Sequence, residues 1–186
     1  MSAERDHAID ALRTAGARLL ARVEAVMAAV DLQAFIDLVE RLGPGRRTFV
    51  VGAGRSGLVA RSFGMRLMHA GLEVFVPGET VTPAAARGDL LVAVSCTGST
   101  GYTDYLARRA RTLGAEVTVL TAEPTSPLAR SADHLIVIPA QDANIVTRAA
   151  VFEHAASLCL DAVFDVLAER FQVDAKVFQS RHANLE

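Results

Sequence analysis

The chain has 186 residues, 51% of them hydrophobic, with 19 basic against 21 acidic side chains and a formal net charge of -2. That length and apolar fraction suit one domain with a substantial core and exclude disorder, while the balanced charge leaves no footprint for nucleic acid or an anionic membrane. Two cysteines make no disulfide framework, no His/Cys/Asp/Glu cluster has metal-ligand spacing, and no apolar run reaches the ~20 residues of a membrane span, so the expectation is a cytoplasmic protein without a metal.

Residues 5–30 carry Ile9, Leu12, Leu19, Val23, Val26, Met27 and Val30 at helical spacing, and this predicts a long amphipathic helix, packed on its own domain or on a partner subunit. Asp31 is a candidate N-cap for a second helix through Phe35, Ile36, Leu38, Val39 and Leu42, stopped by Gly43-Pro44-Gly45. The pattern then alternates. Strands are expected at 48–51, 73–76, 90–94, 117–121 and 135–138, and helices at 58–70, 102–113 and 147–171. Ser126-Pro127 predicts a short helix ending near Ala132. Short apolar strands alternating with helices predict an α/β fold: a three-layer sandwich around a five-stranded parallel sheet with flavodoxin-like winding. One domain is expected, with N-terminal helices at 1–45, an α/β core at 46–172 and a polar tail at 173–186.

Ligands of such sheets bind beyond the carboxyl ends of the strands, where the winding reverses. Two loops fall there. Ser95-Cys96-Thr97-Gly98-Ser99-Thr100-Gly101 places small hydroxyl residues between a buried strand and a helix start, which makes a socket for an anion. Gly52-Ala53-Gly54-Arg55-Ser56-Gly57 follows the first strand and meets the dinucleotide fingerprint. A nicotinamide-dependent oxidoreductase is therefore a rival reading, but Glu73 stands at the start of its strand, whereas a ribose-binding acid belongs at the end. Arg55 and Ser56 suit a terminal phosphate better. Glu153, early in the last helix, is a candidate general base, or else an acid favoured by the helix dipole. His69 reads as a helix C-terminal residue, His7 and His134 as surface positions, and Cys96 as a small filler.

Taken in series, Val51 to Ala60, Met65-Arg-Leu-Met-His-Ala-Gly71, Gly78-Glu-Thr-Val-Thr-Pro83, Gly88-Asp-Leu-Leu91, Phe152-Glu153 and the terminal His182-Ala-Asn-Leu-Glu186 carry a resemblance over nearly the whole chain. The sequence resembles the SIS (sugar isomerase) domain family, and within it the 6-phospho-3-hexuloisomerases of the ribulose monophosphate pathway of formaldehyde assimilation. The resemblance implies interconversion of D-arabino-3-hexulose 6-phosphate and fructose 6-phosphate through a cis-enediol, without cofactor or metal, in a homotetramer with sites near subunit contacts. It implies Glu153 as catalytic base and His182 as a catalytic residue reaching a neighbouring subunit. Gly54, Arg55, Ser56, Ser95, Thr97, Ser99 and Thr100 would hold phosphate and sugar, with Glu79 and Thr80 lining the same edge. Cys96 and Ala149-Ala150 depart from the family's usual small and hydroxyl residues. The alternatives are an isomerase of another phosphosugar and a non-enzymatic sugar-phosphate-binding module.

Overall fold

In the computed structural model, which describes residues 2–185, the elements run in chain order. Helix α1 spans Ser2–Ala28 and α2 Leu32–Arg41, followed by β1 Thr48–Gly52, α3 Gly54–His69, β2 Val74–Phe75 and β3 Leu90–Val94. Then come α4 Gly101–Thr112, β4 Glu116–Thr121, β5 His134–Val137, α5 Ile145–Arg170 and α6 Ala175–Ser180. The sheet has five parallel strands in the order β2-β1-β3-β4-β5, with Val50 opposite Val92 and Leu91 opposite Val117.

Alternation along the strands divides the core into two layers. Val50, Leu90, Val92, Val94, Leu120 and Ile136 face α1, α2, α3 and α5. Phe49, Val51, Leu91, Ala93, Val117 and Val119 face the other way, onto Ala107 and Ala110 of α4 and onto Leu128. Since both faces are covered, the central strands are apolar throughout. This is the three-layer sandwich expected from the sequence.

Several local expectations are corrected. Helix α3 begins at Gly54, four residues early, because Gly52 and Gly57 let it start almost against the strand. A Cβ on Gly52 would stand 2.7 Å from the Ser56 carbonyl oxygen, and one on Gly57 2.8 Å from that of Gly52. Strand β2 keeps only two residues, pairing on one side at the sheet edge. The expected helix after Ser126-Pro127 is a three-residue 3-10 turn, Ala129–Ser131, although Ser126 Oγ does accept a hydrogen bond from the Ala129 N–H. His134 is buried rather than at the surface, with Nε2 2.8 Å from the Ala34 carbonyl oxygen. Asp31 caps α2 as expected, accepting from the Gln33 N–H.

Helix α1 becomes partly buried only from Leu19 onward among the described residues, and Ile9 and Leu12 of the predicted apolar face lie exposed, Leu12 at 74%. Helix α6, not anticipated in the polar tail, is capped by Asp174.

Candidate active site

The chain leaves β1 for β2 on one side and returns to place β3 on the other, so the winding reverses between β1 and β3. Two helices start at the carboxyl ends of these strands. The N-cap positions of α3 and α4 are Ala53 and Thr100, and neither supplies a side-chain cap. Unpaired N–H groups and the positive ends of two helix dipoles thus face one crevice, an arrangement suited to a phosphate.

The loop after β3 holds its own shape. Ser95 Oγ accepts from the Gly98 N–H at 3.2 Å and lies 3.4 Å from Thr100 Oγ1, while Thr97 Oγ1 accepts from the Ser99 hydroxyl at 3.0 Å. Gly98 adopts φ +60, and a Cβ there would fall 2.0 Å from Ser126 Oγ, so only glycine fits between the loop and the 126–128 turn. Across the crevice, Ser56 is buried in the first turn of α3, with Gly54 and Arg55 exposed beside it. The structure brings Gly54, Arg55, Ser56, Ser95, Thr97, Ser99 and Thr100 to one sheet edge.

Glu153 comes to that edge on α5. It is 8% exposed between the buried Val151, Phe152 and Ala155. Arg55 Nε lies 2.6 Å from its Oε2, a close ion pair. Burial pushes the Glu153 carboxyl above the usual carboxylate range, more than the Arg55 and His154 charges pull it down. A buried carboxylate with raised proton affinity is equipped to take a proton from a ligand.

Glu79 and Thr80 are exposed in the loop after β2, and Glu79 is paired with Arg61 of α3 at 2.6 Å. Tyr102, at the start of α4, donates to the Pro77 carbonyl at 3.2 Å. These two contacts tie the 77–79 strap over the end of β1, beside a cavity of about 60 Å³ lined by Gly52, Gly57, Arg61 and Tyr102. A roomier hollow of about 280 Å³ lies between α4 and the 77–85 loop, but of the candidate residues it contains only Glu79. Depth therefore does not mark this site; charge and uncapped helix ends do.

His182 is not with the other candidates in its own chain. Its ring stacks on His69 at 4.3 Å and meets Phe178 at 4.8 Å, at the C-terminal end of α3. That helix has 16 residues, which puts His182 about 24 Å from the Gly54 end. Cys96 is buried, and burial raises its thiol, as suits a filler. The sequence reading missed Arg61 and Tyr102; Arg148 reaches Glu123 and the Ala140 carbonyl. Arg148 was legible only as a cation one turn ahead of Glu153. Among the described residues no group of three or more His, Cys, Asp or Glu could hold a metal, and no helix is long and apolar enough to cross a membrane. Glu73 precedes β2, at the opposite end of that strand from where a dinucleotide's ribose-binding acid belongs.

Residues 42–160 match the SIS domain. A 3-hexulose-6-phosphate isomerase of Mycobacterium gastri is 40% identical over 166 residues, covering 86% of this chain and 83% of its own. The enzyme of the same name from Bacillus subtilis is 35% identical over 158 residues, covering 81% and 85%. A solved structure from Methanococcus jannaschii, for which a molecular function of 3-hexulose-6-phosphate isomerase was inferred, superposes with a TM-score of 0.82 at 27% identity. It covers 90% of this chain and 97% of that one.

Proposed function

The chain belongs to the SIS domain family, and from that premise we propose that it is an isomerase interconverting D-arabino-3-hexulose 6-phosphate and fructose 6-phosphate. The observation that carries the reading is the meeting, on one sheet edge, of two uncapped helix starts with a buried carboxylate of raised proton affinity. The named relatives supply the substrate.

The phosphate sits between the starts of α3 and α4, held by their N–H groups and by hydroxyls of Ser56, Ser95, Thr97, Ser99 and Thr100. Binding this non-reacting group fixes the sugar's carbonyl end relative to Glu153. Glu153 removes the proton from C2, the electron pair forms the 2,3-enediolate, and the proton returns to C3 while the carbonyl forms at C2. The hydroxyl proton passes from O2 to O3. Only protons move, so the chemistry calls for neither a redox carrier nor a metal. Arg55, paired with Glu153, turns to the sugar when it enters. Glu79 and Thr80 border the same opening.

The active form is a homotetramer in the cytoplasm, serving formaldehyde assimilation. The bare, partly apolar first half of α1 supports a subunit contact, and the tail carrying His182 would serve a neighbouring site. The decisive experiment is a coupled assay for fructose 6-phosphate, with the 3-hexulose 6-phosphate made in place from ribulose 5-phosphate and formaldehyde. Turnover without added metal or nucleotide supports the reading. A folded protein that gives none refutes it.

A further inference from the structure

Around the end of β3 the site holds a second charged pair that the proposed reaction leaves unused. Arg148, in the first turn of α5, keeps only 17% of its side chain exposed. Its Nε donates to the Ala140 carbonyl at 3.0 Å, and a terminal nitrogen donates to Glu123, two residues beyond β4. Arg148 is thereby braced across the carboxyl ends of β4 and β5. Two N–H groups of its five-donor fork are used in this way, and no other acceptor takes the rest among the described residues. Glu123 follows Ala122, whose N–H donates to the Cys96 carbonyl at 3.0 Å, so the Arg148–Glu123 pair stands beside the end of β3. Between Arg148 and Glu153 the helix offers only Ala149, Ala150, Val151 and Phe152, none with a polar side chain.

The spacing of the sheet gives this pair a reach. The line between β4 and β5 lies two strand spacings, roughly 10 Å, from the line between β1 and β3, where the phosphate crevice opens. An extended six-carbon sugar phosphate covers that interval. With the phosphate seated between the helix starts, the carbonyl end passes Glu153 and arrives beneath the guanidinium. We propose that Arg148 is a substrate-binding residue: it donates to the oxygens at the sugar's carbonyl end and stabilises the charge that develops there as Glu153 takes the carbon-bound proton. The proposal rests on the isomerase reading for the reaction, but for binding it needs only a phosphosugar of this length.

The test measures calorimetric Kd values for fructose 6-phosphate and for inorganic phosphate, and turnover, in the wild type, Arg148→Met, Arg148→Lys and Glu123→Gln, each checked by thermal melting. Arg148→Met is expected to weaken fructose 6-phosphate about 10- to 100-fold and to lower kcat, with phosphate affinity unchanged. Arg148→Lys is expected to recover part of both losses. A brace with no ligand contact would lower the melting temperatures of Arg148→Met and Glu123→Gln alike and spare the ratio of the two Kd values, which would overturn the proposal. Should Arg148→Met fail to fold, the Lys variant decides: a wild-type ratio and kcat overturn it. If the wild type turns over no hexulose phosphate, the isomerase reading fails, yet the ratio still tests Arg148. A wild type that binds both ligands equally overturns the proposal as well.

Discussion

Glu153→Gln separates the chemistry of the site from its architecture. The substitution keeps the side chain's shape among Val151, Phe152 and Ala155 and removes only the charge. Loss of a general base costs about 10²- to 10⁴-fold in kcat, whereas the phosphate contacts are untouched, so substrate affinity should change little. Stability should move the other way. Because burial raises the folded-state pKa above its ordinary value of 4.5, Glu153 favours folding when protonated, and that contribution is lost as pH rises through the folded pKa. Each unit of that shift is worth about 1.4 kcal/mol. The wild type therefore carries a penalty at neutral pH that the Gln variant lacks, and the variant should melt higher at pH 7 than the wild type, with the gap closing toward pH 4. The activity of the wild type should climb along an acid limb displaced above the ordinary carboxylate range, and the residual activity of the variant should lack that limb. Coupled-assay kinetics and calorimetric melts from pH 4 to 8 read both effects. A folded variant with kcat near that of the wild type, or with the acid limb intact, would remove Glu153 from the role of base.

The other expectations test the frame around that carboxylate. Gly98→Ala sets a Cβ 2.0 Å from Ser126 Oγ at a residue with φ +60; the strain and overpacking together cost roughly 2–5 kcal/mol, read as a lower melting temperature and weakened phosphate binding, and an unchanged melt would refute the fit described. Burial raises both thiols, Cys159 to about 11, so iodoacetamide at pH 7.5 should label neither in the folded protein and both in urea; rapid labelling of Cys96 would contradict its place in the core. A chain ending at Phe178 should lose activity but keep phosphate affinity if His182 serves a neighbouring site, and full activity would dismiss that role.

Much of the architecture was legible because burial on two sides writes a simple pattern. Leu90 to Val94 could hardly be anything but a central strand, and the hydroxyl-rich loop after it lies, as expected, at that strand's carboxyl end. The start of α3 was misjudged because glycine usually breaks helices, whereas Gly52 and Gly57 serve here to bring helix and strand into contact. Strand β2 was overextended because Glu73 to Val76 has the composition of a strand but only one neighbour to pair with. His134 read as polar and therefore external, yet it finds a carbonyl 100 residues away, at Ala34. The Arg148–Glu123 and Arg61–Glu79 pairs join segments far apart in the chain, and no local periodicity records such meetings.

The unequal covering of the two sheet faces has a consequence for how the protein breathes. Four helices shelter one face, whereas α4, with the 126–132 turn, is the main cover of the other. A layer held by so little should open at lower free energy than the rest, and its amides should exchange with solvent first. The same helix begins at the proposed phosphate crevice, so an anion gripping its first turn would close that layer by mass action. Occupancy of the site would then be written in the deuterium uptake of strands and helix turns that no ligand atom touches.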